Sequence, residues 1–401
     1  MVLIALVGKT NVGKSCMLKA LTLVDVEISN RVFTTIEPNH AMGYVKVKCP
    51  DVKIATQCKP KVGYCKQGMR FVPTELLDVA GLVPGAHAGK GLGLKFLDDL
   101  RQADAFIHVI DASGSTNENG ESVACGSYDP ANDVRFLEEE IGYWFYGMLK
   151  KNWSKFSKDV EMNKKNILES LFQQFSGLKI TEDQILKVLE KFTLYETSPT
   201  RWSDDDLRKF AFELRKLSKR MIIAANKIDM PGADKNIERL KEEFPNYTII
   251  PCSAESELAL READKHGLIK YLPGCNSFEI LEPEKLSDRQ KKALEFVNHN
   301  ILEKFGSTGV QECVDKAVFE LLDYIVVYPV ANVNKMTDKK GTVLPDALLV
   351  PRGTKLKDFA AKVHSEMADK FIGGIDFATK RKLGAEHAVN DGDVIEILFS
   401  K

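Results

Sequence analysis

The sequence predicts an α/β fold in which a doubly wound, mostly parallel sheet precedes a smaller C-terminal unit. The first strand is predicted at Val2–Val7, a continuous apolar run ending at a glycine, as in parallel strands covered on both faces. Two more apolar runs, Ala105–Ile110 and Met221–Ala225, end in the polar residues Asp111 and Asn226. Helical patterns separate these runs, and such alternation builds open sheets that bind ligands at the carboxyl ends of their strands.

The other elements of the sheet region follow in chain order. A helix is predicted at Lys14–Leu23, directly after the first strand, and a short β-branched strand at Tyr247–Pro251. The stretch Asp111–Met221 is far longer than the roughly dozen residues that a parallel crossover needs. We therefore expect a helical insertion within it, at Gly114–Lys216.

Three helix starts are visible within the insertion. Asp129 offers an N-cap and Pro130 a proline at the first helical position. Thr181–Gln184 is a capping-box pattern, and Ser203–Asp206 places acidic residues at the positive end of a helix dipole. The helices predicted after these starts are Val134–Leu149, Ile185–Phe192 and Leu207–Leu217.

The C-terminal region predicts a compact unit of strands and one amphipathic helix. Strands are predicted at Tyr324–Val330, Leu348–Val350 and Val394–Phe399, with a turn at Asp391–Asp393 before the last. The helix is predicted at Leu356–Phe371. The predicted boundaries are 1–113 and 217–275 for the sheet domain, 114–216 for the insertion, 276–323 for a helical connector and 324–401 for the C-terminal domain.

Composition favours a folded intracellular protein. Hydrophobic residues make up 44% and charged residues 28% of the 401 residues, which excludes wholesale disorder. The formal net charge of −1 argues against coating nucleic acid or membrane by bulk charge, without excluding a local basic patch. The most apolar long stretch, Val318–Val333, contains Glu320, Asp323 and Pro329 and is not a membrane span. Because the N-terminus has no basic leader or cleavage site, we expect a cytoplasmic protein with no membrane partner.

One motif predicts phosphate binding. Gly8–Ser15 matches the P-loop pattern in full and lies between a predicted strand and a predicted helix. Its glycines let backbone N–H groups turn inward around phosphate oxygens, and the helix start adds positive potential. In this motif Lys14 reaches the β- and γ-phosphates and Ser15 ligates Mg²⁺. A glycine loop in an unrelated turn would lack this context, so the sheet is predicted to be that of a P-loop NTPase.

Two further segments are candidates for the metal and the γ-phosphate. Asp78 follows the apolar Leu76-Leu77 and is followed by Gly81, which fits a carboxylate contact to Mg²⁺ beside a close phosphate approach. Thr34-Thr35 lies between the P-loop and Asp78, where a loop would deliver a hydroxyl to the metal. Alone, the first pattern is only a turn and the second only β-propensity. Their positions after the P-loop give them weight.

A third segment predicts recognition of the base. Asn226-Lys227-Ile228-Asp229 ends the strand Met221–Ala225. An Asp carboxylate accepts two hydrogens from the N1 and N2 edge of guanine, which adenine does not offer, so a buried acceptor there rejects adenine. Ser253-Ala254-Glu255, after the next predicted strand, would place backbone N–H groups near the base.

The eight cysteines are too dilute for a disulfide scaffold. Cys49, Cys58 and Cys65 lie close together, yet their gaps are wider than in ordinary zinc hairpins and no fourth ligand has a familiar spacing. A metal site, a disulfide and free or buried thiols all remain open.

Together these motifs resemble the Obg/YchF group of translation-factor-class P-loop GTPases. The resemblance covers well over half the chain, including the P-loop, Phe33–Asn39, the glycine-rich Asp78–Gly93 and the Asn-Lys-x-Asp element. The insertion is similar in placement to the helical insert of the YchF branch. Residues 324–401 resemble a TGS domain, a ubiquitin-like β-grasp module. The match is closest to archaeal YchF-related proteins.

The resemblance implies a Mg²⁺-dependent GTPase that binds GTP and GDP. It assigns Mg²⁺ to Ser15, Thr35 and Asp78 and γ-phosphate sensing to Gly81. Lys14, Thr35, Gly81 and His87 are the catalytic candidates. The residues expected to contact the nucleotide are Gly8, Asn11, Val12, Gly13, Lys14, Ser15, Cys16, Asp78, Gly81, Asn226, Lys227, Asp229, Ser253, Ala254 and Glu255.

Two positions bear on the rate of hydrolysis. Leu82 follows Gly81, where Ras-like enzymes carry the glutamine that orients the attacking water, and a leucine makes no hydrogen bond to that water. His87 on the same loop is a candidate replacement, although an exposed loop histidine without a catalytic task is the more common case. Asn11 resembles the asparagines that coordinate K⁺ beside the phosphates, so we expect K⁺ to stimulate hydrolysis.

The expected function is a GTP-hydrolysing switch whose partner, by resemblance, is the ribosome or RNA. Many YchF proteins have lost the Asn-Lys-x-Asp signature and favour ATP, but Asn226, Lys227 and Asp229 are intact here and predict GTP. An ATP-preferring YchF-like ATPase is the alternative, as is a nucleotide-gated binding or scaffold protein with incidental hydrolysis. From Tyr324 onward 10 acidic residues face 12 basic ones, so RNA binding by the TGS domain has only weak support and protein partners fit it equally.

Overall fold

The computed structural model describes residues 1–23, 40–54, 56–79, 81 and 100–400. The chain divides into two compact units. Leu3–Leu18 and Leu77–Glu255 form the first, here called the sheet unit. Met1–Val2, Lys19–Leu76 and Ser256–Lys401 form the second, here called the C-terminal unit.

The strands and helices are numbered in chain order. The strands are β1 (Leu3–Val7), β2 (His40–Lys48), β3 (Tyr64–Lys66), β4 (Met69–Asp78), β5 (Ala105–Asp111), β6 (Met221–Asn226), β7 (Ile249–Pro251), β8 (Ile269–Tyr271), β9 (Phe278–Ile280), β10 (Tyr324–Val330), β11 (Leu348–Pro351), β12 (Phe371–Asp376), β13 (Lys382–Leu383) and β14 (Val394–Phe399). The α-helices are α1 (Lys14–Thr22), α2 (Ala131–Met162), α3 (Ile167–Phe175), α4 (Glu182–Lys191), α5 (Asp204–Ser218), α6 (Ala233–Glu243), α7 (Ala254–Lys265), α8 (Asp288–Val297), α9 (Glu303–Phe305), α10 (Val310–Lys316), α11 (Leu356–Val363) and α12 (Ser365–Asp369).

The sheet unit is built on parallel strands in the order β1-β5-β6-β7. Every residue of β1, β5 and β6 is buried, which explains their continuous apolar character. The register pairs Ile4 with Ala105 and Asp111 with Asn226, so the carboxyl ends of the strands meet at one edge. The predicted doubly wound α/β sheet is confirmed, and this edge carries the polar residues that follow the strands.

Helices α2 to α5 fill the stretch between β5 and β6. The capping box predicted at Thr181 is present, and the acidic helix start predicted at Ser203–Asp206 also forms a capping box, in which Asp206 is the third helical residue. The long first helix, α2, was predicted too short, because lysines after Leu149 interrupt its apolar pattern. Its second half is nevertheless fixed by aromatic packing, since Trp153 stacks on Trp202 with 4.9 Å between ring centroids.

The start of α2 also differs from the prediction. Pro130 occupies the N-cap position, with φ −63° and ψ −16°, so the helix begins at Ala131. Asp129 still serves the helix start, because its Oδ1 accepts a hydrogen bond from Ala131 N at 3.0 Å. The turn is therefore displaced by one residue, while the acidic group keeps its role.

Near the start of the C-terminal unit, β2 lies beside β4, and β3 pairs with β4 in antiparallel orientation. Tyr64 stacks on Phe71 at 4.3 Å and meets Tyr44 edge-on at 5.3 Å. Strands β2 and β3 were not predicted. Their short or interrupted apolar patterns do not stand out, and packing of these aromatic rings stabilises them.

A buried polar network joins α7 to later elements of the C-terminal unit. Arg261 Nε donates to Glu257 Oε1 at 2.5 Å, and Arg261 Nη2 donates to Gln311 Oε1 at 2.9 Å. Glu257 Oε2 accepts from Tyr271 OH at 2.8 Å and from Thr308 Oγ1 at 2.5 Å. Such a network fixes the relative positions of α7, β8 and α10 because each buried polar group depends on its partner.

The C-terminal sheet has the order β11-β10-β14-β12-β13 and packs against α11. The strands predicted at the positions of β10, β11 and β14 are present. The single helix predicted at Leu356–Phe371 is wrong. His364 is extended, with φ −161° and ψ 133°, and separates α11 from α12, while Phe371 begins β12.

The spacing of the apolar residues gives no sign that the helix is interrupted at His364. Val363, Met367 and Phe371 all pack on the same core as α11, so their spacing is compatible with one continuous helix. Strand β12 contains Gly373-Gly374, which have low β-propensity, and its pairing with β14 holds it in place. Across the described residues, no helix combines the length and apolar character needed to cross a membrane.

Candidate nucleotide-binding site

The loop after β1 adopts a conformation that two of its residues can reach only as glycine. Gly8 has φ +144°, and a Cβ there would lie 2.3 Å from the carbonyl oxygen of Val109. Gly13 has φ +100°, and a Cβ there would lie 2.2 Å from Nδ2 of Asn226. The glycines of the motif are thus required by positive φ and by close packing against β5 and β6.

Lys14 directs its ammonium group into this loop. Its side chain is buried, and Nζ donates to the carbonyl oxygens of Gly8 at 2.8 Å and Lys9 at 2.6 Å. Burial lowers the pKa of Lys14 to about 8, and the nearby Asp78 carboxylate opposes that shift. The loop therefore holds a poorly solvated positive charge, which phosphate oxygens can satisfy better than carbonyls can.

Two side chains with oxygen atoms that could bind a metal ion lie beside the P-loop, at the carboxyl ends of the strands. Asp78 ends β4, and burial raises its pKa while the Lys14 ammonium opposes the rise. Ser15 is exposed on the first turn of α1, followed by the half-buried Cys16. Gly81 lies against the loop, since a Cβ there would be 2.7 Å from Thr10 Cγ2.

Asn226 joins two loops. Its Nδ2 donates to the carbonyl oxygen of Val12 at 2.7 Å, and its Oδ1 accepts from Ala254 N at 2.9 Å. Both ends of the buried amide are thus used within the protein. Asn226 fixes the P-loop relative to the start of α7.

Asp229 faces the same start of α7. Ser253 Oγ donates to Asp229 Oδ1 at 2.9 Å, which orients the carboxylate. Ser253 is buried, Asp229 is half-buried and Glu255 is exposed. The structure therefore brings together the base-recognition residues expected from the sequence.

Lys227 contacts a buried carboxylate at the end of β5. Its Nζ donates to Asp111 Oδ2 at 2.8 Å and to Thr116 Oγ1 at 3.0 Å. Burial raises the pKa of Asp111, but hydrogen bonds from Lys227, Ser113, Thr116 and Ser115 outweigh it and hold the pKa below its usual value. Asp111 ends β5, as the sequence predicts, and its contact with Lys227 is apparent only in the folded structure.

The segment after β5 reaches back to the P-loop, which the sequence did not predict. Asn11 Nδ2 donates to the carbonyl oxygen of Gly120 at 2.8 Å. Lys9 Nζ donates to the carbonyl oxygen of Thr116 at 2.8 Å, and forms a buried ion pair with Asp133 at 2.9 Å. The two residues of each pair are more than 100 positions apart in the sequence, so no local sequence pattern predicts their contact.

An aromatic ring also covers the ammonium group of Lys9. Its Nζ lies 3.8 Å from the ring centroid of Tyr128, a cation–π contact. Burial lowers the pKa of Lys9 and raises that of Asp133 to about 6, while each charge opposes the shift of the other. The ion pair therefore fixes the start of α2 at the P-loop, and among the described lysines it is Lys14 whose ammonium group points into the loop.

Three of the residues expected at this site, Thr35, Leu82 and His87, lie outside the described residues. The described candidates all belong to the sheet unit. They lie at the carboxyl ends of β4 and β6, on the loops that follow β1, β4, β6 and β7, and on the first turns of α1 and α7. This is the edge where open α/β sheets bind their ligands.

Comparison with protein families identifies the segments that carry these loops. Residues 3–132 match a family described as 50S ribosome-binding GTPase. Residues 224–332 match the domain described as Obg-like GTPase YGR210-like, G4 motif-containing domain. Residues 335–399 match the TGS domain.

Similar proteins extend over the whole chain. An uncharacterized GTP-binding protein of Methanocaldococcus jannaschii is 50% identical, with 99% of each chain covered. The crystal structure of a GTP binding protein from Pyrococcus horikoshii OT3 has a TM-score of 0.79 and 35% identity, with 100% of each chain covered. The ribosome-binding ATPase YchF of Bacillus subtilis is 26% identical, with 98% of each chain covered. The chain belongs to the YchF/Obg-like family of P-loop GTP-binding proteins and ends in a TGS domain.

Proposed function

We propose that this protein hydrolyses GTP to GDP and phosphate, and acts as a nucleotide-dependent switch at the ribosome. The observation that carries the proposal is the convergence of the P-loop, Asp78, Asn226 and Asp229 on one edge of the sheet. The loop supplies backbone N–H groups and one ammonium for a triphosphate, and Asp229 supplies an acceptor for guanine.

Mg²⁺ fits the donors at this edge. The Ser15 hydroxyl and the Asp78 carboxylate are oxygen ligands of the kind that Mg²⁺ prefers, and Thr35 would add a second hydroxyl. The ion would neutralise charge on the β- and γ-phosphates. Lys14 would exchange its contacts with Gly8 and Lys9 carbonyls for phosphate oxygens. Gly81 would allow close approach of the γ-phosphate because it carries no side chain.

Selectivity for GTP over ATP would follow from the Asp229 carboxylate. Ser253 occupies one of its oxygens, so the carboxylate is held in place with acceptor capacity left for the N1 and N2 hydrogens of guanine. Adenine offers no such pair of donors and would leave the acceptor unsatisfied. The ATPase names of some relatives make ATP preference the alternative.

Catalysis would depend on groups other than the usual glutamine. Leu82 gives the attacking water no hydrogen bond, so His87 is the proposed residue that orients it. Asn11 is the proposed ligand for K⁺. Its Nδ2 is held by the Gly120 carbonyl, which leaves Oδ1 as the acceptor available to a cation.

GTP hydrolysis is therefore expected to be faster in KCl than in NaCl, by roughly tenfold or more, because K⁺ would offset transition-state charge. Asn11→Ala should remove the difference between the salts. Multiple-turnover phosphate release at matched ionic strength measures both rates, and Asn132→Ala, an exposed position on α2, serves as a control. Equal rates in the two salts would contradict the role of K⁺.

The ribosome is proposed as the partner because one matched family is described as ribosome-binding, and one relative carries that name. The action would then be cytoplasmic. Sedimentation with ribosomes in GTP, GDP and a non-hydrolysable GTP analogue tests this. We expect binding to depend on the nucleotide. Binding that is equal with all three nucleotides, or absent, would contradict a ribosome-linked switch.

The alternative function is a nucleotide-gated binding protein with incidental hydrolysis, docking proteins through the TGS domain. Single-turnover hydrolysis with and without ribosomes and K⁺ distinguishes the two. Strong stimulation supports the switch. Persistent GTP occupancy under all conditions supports the binding protein.

A further inference from the structure

Four possible metal ligands lie close together within the C-terminal unit, outside the P-loop motif. The sulfurs of Cys49, Cys58 and Cys65 and a carboxylate oxygen of Asp51 all lie within 4.8 Å of one another. Asp51 is part of a single 3₁₀ turn, Pro50–Lys53, that directly follows Cys49. The spacing of the cysteines in the sequence differs from that of an ordinary zinc hairpin, but the fold brings their sulfur atoms together. Asp51 supplies a fourth ligand, which the cysteine spacing did not predict.

The separations between these atoms fit one tetrahedral ion. Ligands about 2.3 Å (sulfur) and about 2.0 Å (oxygen) from Zn²⁺ place sulfurs about 3.8 Å apart, and sulfur and oxygen about 3.5 Å apart. Cys49 Sγ lies 3.5 Å from Cys58 Sγ, and Cys65 Sγ lies 3.8 Å from Asp51 Oδ2. Small shifts would bring all four atoms to bonding distance of a single ion.

The charged groups around the cluster also favour a bound metal ion. Asp51 is 6% exposed, and within the described part of the chain no lysine, arginine or histidine forms an ion pair with it. Arg70 is fully buried and donates from Nη1 to Cys58 Sγ at 3.5 Å, again with no ion-pairing carboxylate among the described residues. Three thiolates, one carboxylate and Zn²⁺ carry a net charge of −2, which Arg70 would partly offset.

We propose that Cys49, Asp51, Cys58 and Cys65 bind one structural Zn²⁺ ion. Sulfur ligands favour Zn²⁺ over Mg²⁺ or Ca²⁺, and four protein ligands close the coordination shell, as in structural sites. Asp51 Oδ2 accepts hydrogen bonds from Cys58 N at 3.0 Å and from Cys65 Sγ at 3.8 Å, and a disulfide between Cys49 and Cys58 would add no cation to neutralise this buried carboxylate, as a metal would. This site is independent of the proposed GTPase function.

The ion would hold the segment around Cys58 in place against the loop between β10 and β11. Lys59 N donates to Val343 O and Lys61 N donates to Pro345 O, both at 2.9 Å. Arg70 adds hydrogen bonds from Nη1 to Leu344 O at 3.0 Å and from Nη2 to Pro345 O at 3.2 Å. Because Cys58 immediately precedes Lys59, fixing its sulfur would hold this set of backbone contacts in register.

Zinc content of the full-length chain tests the proposal. After passage over a chelating resin, the wild type is expected to retain about one zinc per chain by elemental analysis. Cys58→Ser and Cys65→Ser should each retain less than about a tenth of that, because an incomplete shell binds zinc weakly. Cys125→Ser, at an exposed cysteine, is the matched control and should keep its zinc.

Reconstitution of the wild-type protein with cobalt provides a second test, which does not depend on the variants being able to fold. Co²⁺ added to the metal-free protein should produce sulfur-to-cobalt charge-transfer absorption that one equivalent of Zn²⁺ displaces. Removing zinc should also speed amide exchange at Lys59 and Lys61. Wild-type protein without zinc or a cobalt–thiolate band, a Cys49–Cys58 disulfide in the purified chain, or equal zinc in Cys58→Ser and Cys125→Ser would each overturn the proposal.

Discussion

Gly13→Ala is expected to weaken GTP binding by at least about 100-fold, or about 2.7 kcal/mol. The added methyl group would lie 2.2 Å from Asn226 Nδ2, so the buried amide must move and lose its hydrogen bond to Val12. The φ of +100° adds a backbone cost of about 1–2 kcal/mol for a residue with a side chain. Both effects distort the loop that would surround the phosphates. Equilibrium titration with a fluorescent GTP analogue measures the loss.

Gly232→Ala is the matched control for this variant. Gly232 also has a positive φ, +82°, but a Cβ there meets no heavy atom within 4 Å. The two variants thus share the backbone cost, and only Gly13→Ala adds the collision with Asn226. Gly232→Ala should lower the melting temperature yet bind GTP within about threefold of the wild type. Near-normal GTP affinity in Gly13→Ala would contradict the proposed phosphate site.

Asp229→Asn is expected to reduce GTP affinity by at least about 100-fold and to raise affinity for xanthosine triphosphate. An asparagine has one acceptor oxygen and one amino group, so it would place a donor against the 2-amino group of guanine. Xanthine has a carbonyl at that position and would accept the hydrogen bond. Ser253 Oγ, which donates to Asp229 Oδ1, can keep its contact with the asparagine oxygen. Competition titrations with GTP, xanthosine triphosphate and ATP measure the change.

Asp234→Asn provides the corresponding control, because it makes the same chemical change at an exposed position on the first turn of α6. It should leave all three affinities unchanged. If Asp229→Asn binds GTP as tightly as the wild type, Asp229 does not select the base.

The sequence was sufficient to predict those parts of the site that are continuous in the chain. The P-loop needs an apolar strand, a glycine-rich turn and a helix start within a few residues, and all three are visible as patterns. Asn226 and Asp229 follow a buried strand, so the parallel sheet itself places them beside the P-loop. Ser253 follows the next strand and was predicted near the base for its backbone N–H group, whereas its side-chain hydrogen bond to Asp229 was not predicted.

Contacts between distant segments could not be predicted in this way. Lys9 and Asp133 form a buried ion pair across more than a hundred residues, although Lys9 occupies a variable position of the P-loop pattern and Asp133 belongs to no motif. The hydrogen bond from Asn11 to the Gly120 carbonyl could not be predicted from the sequence either, because every residue has a backbone carbonyl group. The cysteines show the same limit, since Asp51 joins them only through the fold.

Secondary structure was missed where tertiary packing outweighs local preference. Strand β12 contains two glycines and is held by β14, while α12 continues the apolar spacing of α11 after a break at His364. In both places the local pattern favours one structure and the neighbouring elements stabilise another.

Nucleotide binding by the unmodified full-length chain tests the central claim most directly. Titration in Mg²⁺ should give saturable, one-to-one binding of GTP, with a Kd at least about tenfold below that of ATP, since only guanine satisfies the acceptor at Asp229. No measurable binding of GTP, or a Kd for ATP equal to that for GTP, would contradict a site in which the P-loop holds the phosphates and Asp229 selects guanine.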